Sequence, residues 1–493
     1  MGCGGPSRAT QISTAFRAAL EASHIDDDLK ILPSTFVKAN ENRFVHVYKL
    51  GAGLGAGATG DVRKCVHRDS KEERAVKIFR RNTLSEVTIH GTTRSREVEI
   101  LRIVDHPNIV RVYEYFEDAK RVFLVMEYCK GGELQHRVDS KYQFTEHAAA
   151  LIVKQVFEVL SYLHDKGIVH RDMKPENIVL EESDGGEQSI KVIDFGAATY
   201  FNRKAPLKGA VGTIGYSAPE VYGEYYSEKI DVWSAGVIMF VLLCGKLPFE
   251  GTTDADVLEK IRGMRFIASG GVWNSISREA VELLSAIFCS AEQRLTAKDV
   301  LQHPWIQKFG QTGSLRENAL ADSLANIKAF HYHTKFKDAV LTFIATQRLT
   351  ALDTRDLREV FKRIDVNGDG KISKEELLAQ YMVQMSEGEA RELVDMVMRE
   401  VDSDGSGFMD YTEFLKASID QKKLLSQKNL ERAFSLFDRD GSGTISTAEI
   451  RKVLVSGSVV DESIWANILN EVDENGDGEI DVKEFEALLQ ARF

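Results

Sequence analysis

The segment HRDMKPEN, from His170 to Asn177, is the most informative motif of this 493-residue chain. Within it, an aspartate, a lysine and an asparagine follow one another closely, at Asp172, Lys174 and Asn177. A short motif of this kind is significant only when the flanking sequence carries matching motifs.

Further motifs lie on both sides in a consistent order. GAGATGDV (residues 55–62) and AVKIF with Lys77 precede the stretch, and DFG from Asp194 and APE from Ala218 follow it. Glycines let backbone N–H groups approach phosphates closely, although the glycine-rich segment alone equally fits a tight turn. The complete ordered set is not a chance arrangement and indicates a phosphate-transfer site.

The ordered motifs resemble those of eukaryotic protein kinases over residues 48–306. The resemblance implies that Lys77 holds the α- and β-phosphates of ATP and pairs with Glu97. It implies that Asp172 accepts the proton of the substrate hydroxyl. Asn177 and Asp194 are then expected to hold Mg²⁺.

The resemblance also implies a substrate class and an ATP pocket. Lys174, which would contact the γ-phosphate, follows the serine/threonine pattern. Glu133 and Glu176 are expected to receive a basic residue upstream of the target hydroxyl, unless they are ordinary solvated acids. Met126 lies at the gatekeeper position, which is compatible with a core methionine. The implied pocket comprises Leu54, Gly55, Gly57, Gly60, Val62, Ala75, Lys77, Met126, Glu127, Cys129, Glu133 and Asp194.

The activation segment departs from that of many relatives. Arg171, before the catalytic aspartate, is typical of kinases controlled by loop phosphorylation, yet Gly209 stands where such kinases carry a phosphothreonine. Thr213 matches the threonine that braces the catalytic loop. Two further matches, Asp231 and an Arg294–Glu220 pair, are interpreted as structural. Control of activity is therefore expected from elsewhere in the chain.

A repeat with a spacing of 35 to 37 residues occupies the last third of the chain. Each copy alternates oxygen-bearing residues, has glycine at position 6 and ends with glutamate at position 12, the pattern of an EF-hand Ca²⁺ loop. Position 7 contributes its backbone carbonyl. The predicted ligands are Asp365, Asn367, Asp369, Lys371, Ser373 and Glu376 in loop one; Asp402, Asp404, Ser406, Phe408, Asp410 and Glu413 in loop two; Asp438, Asp440, Ser442, Thr444, Ser446 and Glu449 in loop three; and Asp473, Asn475, Asp477, Glu479, Asp481 and Glu484 in loop four.

Charge agrees with cation binding at this end. The net charge is −12, and residues 351–493 hold 31 Asp and Glu against 18 Lys and Arg. The rest of the chain is nearly neutral, which disfavours a nucleic-acid partner. Five cysteines without a C-x-x-C motif argue against a disulfide framework.

The order of kinase, helical junction and four EF-hands resembles the calcium-dependent protein kinases of plants and protists. The resemblance implies an α+β fold, in which a bilobal kinase precedes an all-α calmodulin-like domain. It divides the chain into a mobile N-terminal segment (1–43), a kinase domain (44–306), a junction or autoinhibitory helix (307–350) and the EF-hands (351–493). The expected cofactors are ATP, Mg²⁺ and up to four Ca²⁺ ions.

A helix from about residue 315 to 346 is expected to occlude the kinase without Ca²⁺, and to be captured by the EF-hands with Ca²⁺. The expected function is phosphorylation of protein Ser and Thr by a monomer. The alternative is a Ca²⁺-dependent scaffold with an inactive kinase fold, although such folds usually lack one of Lys77, Asp172 and Asp194.

The start MGCGGPS predicts myristoylation at Gly2 and palmitoylation at Cys3. Pro6 stands where Ser or Thr is preferred, so an ordinary Met-Gly start is the alternative. Two acyl chains would anchor the chain stably. A cytoplasmic, membrane-associated location is the corresponding expectation.

Overall fold

The structure is a computed structural model that describes residues 31–57, 60–81, 86–89, 92–141, 144–182, 189–202, 205–310, 318–330, 335–454, 469 and 472–490. The predicted acylation sites, Gly2 and Cys3, lie outside the described residues.

The small lobe is a five-stranded antiparallel sheet with a short helix, α2 (Arg96–Ile103), against it. The sheet order is β1-β2-β3-β7-β6, and a separate hairpin, β4-β5, precedes the helix. The strands are β1 (Tyr48–Gly57), β2 (Gly60–His67), β3 (Glu73–Arg80), β4 (Glu86–Ile89), β5 (Thr92–Ser95), β6 (Val112–Glu117) and β7 (Arg121–Met126). The helices are α1 (Phe44–Val47) and α2 (Arg96–Ile103).

The large lobe is mainly helical. Its strands are β8 (Gly132–Glu133), β9 (Ile168–Val169), β10 (Ile178–Leu180), β11 (Ile190–Val192) and β12 (Thr199–Tyr200). Its helices are α3 (Leu134–Lys141), α4 (Glu146–Asp165), α5 (Lys229–Cys244), α6 (Asp254–Gly263), α7 (Arg278–Ile287), α8 (Ala297–Leu301) and α9 (Pro304–Phe309). Short 3₁₀ helices occur at Pro33–Phe36, Pro175–Asn177, Ile214–Tyr216, Pro219–Tyr222 and Gly271–Ser275.

The longest apolar run of the sequence lies inside α5, at the centre of the large lobe. Helix α5 is apolar on all sides and is covered by α4 and other elements of the lobe. It ends at Gly245, which adopts a φ of 73°, the left-handed conformation common after a helix C-terminus. Trp233 on α5 stacks on Phe249 with ring centroids 5.5 Å apart. No helix among the described residues is both long enough and apolar enough to cross a membrane.

The regulatory module follows as a separate hydrophobic core. Its helices are α10 (Ala319–Lys328), α11 (Lys335–Gln347), α12 (Ala351–Ile364), α13 (Lys374–Tyr381), α14 (Glu387–Val401), α15 (Tyr411–Ser418), α16 (Gln421–Leu424), α17 (Gln427–Phe437), α18 (Thr447–Leu454) and α19 (Val482–Gln490). Strands β13 (Thr444–Ser446) and β14 (Glu479–Asp481) pair antiparallel.

Two features of the predicted organisation differ from the structure. The junction, expected as one helix over about residues 315–346, contains two helices, α10 and α11, because the helical backbone ends at Ala329. The segment 1–43 was expected to be mobile throughout, yet its residues 31–43 pack against the rest of the chain. Ile31, Phe36 and Val37 are buried there, so apolar contact holds a stretch that lacks a periodic pattern.

Candidate active site and calcium loops

Lys77 lies between two carboxylates at the back of the cleft. Strand β3 supplies the lysine, helix α2 supplies Glu97, and Asp194 follows β11. The Lys77 Nζ is 2.8 Å from Glu97 Oε1 and 2.7 Å from Asp194 Oδ1. Burial alone would lower the pKa of Lys77, but the two carboxylates outweigh it and raise this pKa. The lysine is therefore a fixed positive charge, suited to phosphate oxygens.

Asp194 remains ionised in spite of its burial. Burial by itself would raise the pKa of this carboxyl, whereas the Lys77 charge and the hydrogen bond from Gly196 N–H lower it below its usual value. An ionised carboxylate beside a phosphate-binding lysine is the donor that Mg²⁺ requires. The residues present thus fit a metal–nucleotide group.

The carboxylate of Asp172 is held from both sides. Thr213 donates its hydroxyl hydrogen to Asp172 Oδ1 at 2.9 Å, and Asn177 Nδ2 donates to Oδ2 at 3.0 Å. Lys174 Nζ lies 3.0 Å from Oδ2 and donates to the Thr213 hydroxyl at 2.9 Å. The structure therefore assembles the residues that the sequence selected, with Thr213 as the brace.

Asp231 fixes the backbone of the catalytic loop. Its carboxylate accepts hydrogen bonds from the backbone N–H groups of His170 and Arg171, each at 2.8 Å, and lies 3.0 Å from His164 Nε2. Arg171 has a φ of 68°, a costly conformation for a residue other than glycine, which these contacts maintain. The structural interpretation of Asp231 agrees with this arrangement.

The activation segment is held without a phosphate. Arg171 Nε donates to the carbonyl of Ala197 at 2.7 Å, and Arg171 Nη1 donates to the Tyr226 hydroxyl at 3.4 Å. The same hydroxyl donates to the carbonyl of Gly209 at 2.9 Å. Tyr226 thus connects the arginine to the glycine that replaces a phosphothreonine. Sequence reasoning missed this tyrosine, which lies outside every motif that was recognised.

The predicted ATP pocket is distributed over the facing edges of the two lobes. Gly60 approaches the neighbouring strand so closely that a Cβ there would lie 2.7 Å from Ile78 O. Met126 is buried opposite Ala75 in the β3–β7 pair, as expected of a gatekeeper and of a core residue alike. Leu54, Gly55 and Gly57 lie on β1, Val62 on β2, Ala75 on β3, Glu127 and Cys129 after β7, and Glu133 on β8.

Two of the calcium loops bring their carboxylates together. Three carboxylate oxygens lie within 4.8 Å of one another in loop two, and three in loop three. They belong to Asp402, Asp404 and Glu413, and to Asp438, Asp440 and Glu449. No other group of three His, Cys, Asp or Glu residues meets this distance in the part of the chain that the structure describes.

All four loops adopt the predicted backbone. The position-6 glycines, Gly370, Gly407, Gly443 and Gly478, have φ values of 79°, 81°, 89° and 86°, the left-handed conformation that a sharp turn requires. Position 8 pairs the loops as expected. Ile372 and Met409 exchange backbone hydrogen bonds of 2.8 and 2.9 Å, and Ile445 is opposite Ile480.

Loop one lies against the large lobe of the kinase. A Cβ on Gly368 would lie 2.8 Å from Leu301 Cδ1, and one on Gly370 would lie 2.7 Å from Tyr162 Cδ2. The first ligand, Asp365, is buried and accepts hydrogen bonds from three backbone N–H groups of its own loop. Glycine is therefore required here both by the turn and by the contact.

The junction helices belong to the core of the regulatory module. Phe336 on α11 packs against Phe437 of the third hand, with ring centroids 5.0 Å apart. The buried Lys416 Nζ is 2.6 Å from Asp338 Oδ1, which fixes α11 to the second hand. Helix α11 is therefore held between the second and third hands in this structure.

Comparison with known proteins agrees with this geometry. A model of the protein kinase domain matches residues 48–306, and a model of the EF-hand domain pair matches residues 354–419 and 427–490. The chain is 36% identical over 473 residues to calcium-dependent protein kinase 4 of Plasmodium falciparum, covering 93% of this chain and 89% of the relative. It is 35% identical over 476 residues to calcium-dependent protein kinase 3 of Plasmodium berghei, covering 95% and 84%.

These findings confirm the predicted α+β fold and the active-kinase interpretation, and they do not support the inactive scaffold. Lys77, Asp172 and Asp194 are all present and in contact with their expected neighbours. The kinase domain implies ATP and Mg²⁺ as cofactors and proteins as substrates, and the EF-hands imply Ca²⁺. The chain belongs to the calcium-dependent protein kinases and is a serine/threonine protein kinase.

Proposed function

We propose that this chain transfers the γ-phosphate of ATP to Ser and Thr of proteins when Ca²⁺ fills its EF-hands. One observation carries the proposal. The ion pair between Lys77 and Glu97 is formed, with 2.8 Å between Nζ and Oε1. In the same structure, the junction helices pack in the regulatory core. The catalytic residues are thus assembled while helices α10 and α11 pack in the regulatory core.

The chemistry follows from positioning and charge. Lys77 orients the phosphates, Asp194 and Asn177 would hold Mg²⁺, and Lys174 directs the γ-phosphate. Asp172 accepts the proton of the substrate hydroxyl because its carboxylate is fixed by Thr213 and Asn177. When bound, Mg²⁺ neutralises charge that develops on the phosphates.

Basic residues upstream of the target hydroxyl are favoured by an acidic surface at the cleft. Burial raises the pKa of Tyr216, and the carboxylates of Glu176 and Asp139 raise it further. Glu176 Oε2 is buried and accepts no hydrogen bond from the described residues. The Glu133 carboxylate lies beside Gly55 of the glycine-rich segment, because a Cβ added to that glycine would be 3.6 Å from Glu133 Oε1. A guanidinium group of the substrate would satisfy such carboxylates.

Autoinhibition in the absence of Ca²⁺ is the proposed form of control. Helices α10 and α11 bury their apolar faces in the regulatory core, so release from that core would leave these faces free to cover the kinase. Truncation after Gln311 is the test. It is expected to leave some activity that no longer depends on Ca²⁺, and a folded but wholly inactive truncation would show the tail to be an activator only.

Four Ca²⁺ ions, a monomeric state and membrane attachment complete the proposal. No predicted ligand is missing in any loop, and the sequence offers Gly2 and Cys3 for acylation. A cytoplasmic, membrane-associated location would follow from two acyl chains.

The deciding experiment is a phosphotransfer assay with the full chain. A peptide with arginine upstream of a single serine is incubated with ATP and Mg²⁺, with and without Ca²⁺. Phosphorylation that requires Ca²⁺ supports the proposal. Ca²⁺-independent phosphorylation refutes the regulatory part, and no phosphorylation refutes the whole.

A further inference from the structure

The residues just before the kinase domain lie in a seam between that domain and the regulatory module. Two consecutive side chains enter two different hydrophobic cores. Phe36 joins the regulatory core, where its ring centroid is 5.6 Å from that of Phe343 on α11. Val37 joins the core of the kinase. We call residues 31–40 the seam segment.

On the kinase side, the seam segment is attached to helix α2. Arg102 near the end of this helix donates from Nε to the carbonyl of Val37 at 2.9 Å and from Nη2 to the carbonyl of Ser34 at 3.2 Å. Farther along the segment, the Asn40 N–H donates to the carbonyl of Tyr115, a residue of strand β6, at 2.8 Å. The segment is therefore fixed to the small lobe by backbone groups as well as side chains.

On the regulatory side, the seam segment contacts the junction helix and the third hand. Ile31 and Phe36 are both buried in the regulatory core. The amine of Lys38 donates to the carbonyl of Lys452 at 3.1 Å, near the end of α18. Burial, together with the charges of Arg102 and Arg439, lowers the pKa of Lys38 to about 8. Phe36 and Lys38 thus attach the seam segment to the regulatory module.

We propose that the seam segment positions helix α2, and with it Glu97, in response to docking of the regulatory module. Arg102 and Glu97 lie on one short helix, so a restraint on the former limits the movement of the latter. Undocking would remove Phe343 from Phe36 and free the segment to move away from Arg102. Phe36 and Arg102 are positioning residues in this arrangement, since neither contacts the predicted substrate or ATP groups.

This inference rests on the proposed Ca²⁺ dependence and uses the full chain. Phe36→Ala and Arg102→Gln are each expected to lower kcat about fivefold and to raise the half-activating Ca²⁺ concentration severalfold, typical of coupling between two sites. Phe36→Leu should retain most of the response. The matched control is Val45→Ala, a half-exposed apolar residue at the same approach to the kinase, which should behave as wild type.

The double variant distinguishes this role from simple stabilisation. If both residues act through one segment, Phe36→Ala/Arg102→Gln should be no worse than the poorer single variant. Assays are run below the unfolding temperature of every variant, measured by circular dichroism. Folded single variants with wild-type kcat and Ca²⁺ midpoint, or effects that multiply in the double variant, overturn the inference. A wild-type chain that ignores Ca²⁺ instead overturns the proposed function.

Discussion

Arg358, on the first helix of the EF-hand module, forms a buried ion pair with Glu181 of the kinase large lobe. Glu181 also lies 3.4 Å from Lys191 Nζ, and Lys191 lies 3.2 Å from Glu127 in the hinge. Charges of alternating sign therefore run from the regulatory helix to the ATP pocket. Burial alone would raise the pKa of Glu181, but Lys191 and Arg358 lower it to about 2.

Replacing Arg358 is expected to weaken docking of the regulatory module. Arg358→Gln leaves Glu181 buried beside a single cation, and breaking a buried pair is costly. We expect the half-activating Ca²⁺ concentration to rise about tenfold, a coupling of ordinary size. Because the folded pKa of Glu181 is depressed, the stabilisation is present above its ordinary pKa of 4.5 and is lost as the pH falls towards about 2. A Ca²⁺ titration of activity at neutral pH therefore measures its full effect.

The same helix supplies the control for this prediction. Arg355 is exposed and contacts only Asp356 among the ion pairs of the described residues. Arg355→Gln should leave the Ca²⁺ midpoint unchanged. Equal shifts in the two variants would mean that helix charge, rather than the Glu181 pair, matters.

Replacement of the cleft charges should abolish phosphotransfer and spare Ca²⁺ binding. Lys77→Ala and Asp194→Asn each remove electrostatic stabilisation, so we expect a loss of at least about 100-fold in kcat. The EF-hand ligands are distant in sequence and lie in the loops of the regulatory module. Calorimetric titration should give wild-type Ca²⁺ affinity for both variants within a factor of a few. Substantial Ca²⁺-stimulated activity in either purified variant would contradict the assigned roles.

The residues of the catalytic loop and of the calcium loops were predictable from the sequence because their spacing is local, whereas Lys77, Glu97 and Asp194 were assigned through the family resemblance. Asp172, Lys174 and Asn177 share one loop, and each calcium loop is a continuous stretch of twelve residues. Contacts between distant segments were not predictable, because no local pattern encodes them. Arg358 and Phe36 become informative only when the fold brings Glu181 and Phe343 beside them.

Full activity is expected without phosphorylation of the activation segment. Arg171 reaches the Tyr226 hydroxyl, which donates to the carbonyl of Gly209. Phosphatase treatment, verified by mass spectrometry, should leave Ca²⁺-stimulated activity within twofold. A large loss that rephosphorylation of the segment restores would refute this prediction. Tyr226→Phe, which removes the donor, should lower activity even in untreated protein.

Loop two is expected to matter most among the Ca²⁺ sites. Its three clustered carboxylates are already close together, and the loop offers four carboxylates in all, two features that favour affinity. Glu413→Gln should therefore raise the half-activating Ca²⁺ concentration more than Glu376→Gln does. Both are position-12 changes of the same size, so each serves as the control for the other. A larger shift for Glu376→Gln than for Glu413→Gln would contradict this prediction. It would show that the contact of loop one with the kinase matters more for activation than the close carboxylates of loop two.

Membrane association is expected to depend on Gly2 and Cys3. Gly2→Ala removes the acceptor of the first acyl chain, and a single remaining chain binds membranes only marginally. Fractionation of cells that express this variant should find it in the soluble fraction, and Cys3→Ser should give partial release. An unchanged membrane fraction for Gly2→Ala would count against lipidation as the anchor.

The contact of loop one with the large lobe affects how fast Ca²⁺ can leave this loop. Leu301 and Tyr162 cover the loop where Asp365 and Asp369 are buried, so solvent reaches this site poorly while the module is docked. Dissociation of Ca²⁺ from loop one would then require undocking of the regulatory module. The lifetime of the docked state would therefore limit the rate of Ca²⁺ dissociation from this loop. After a brief Ca²⁺ pulse, kinase activity would therefore persist for a time after the free Ca²⁺ concentration has fallen.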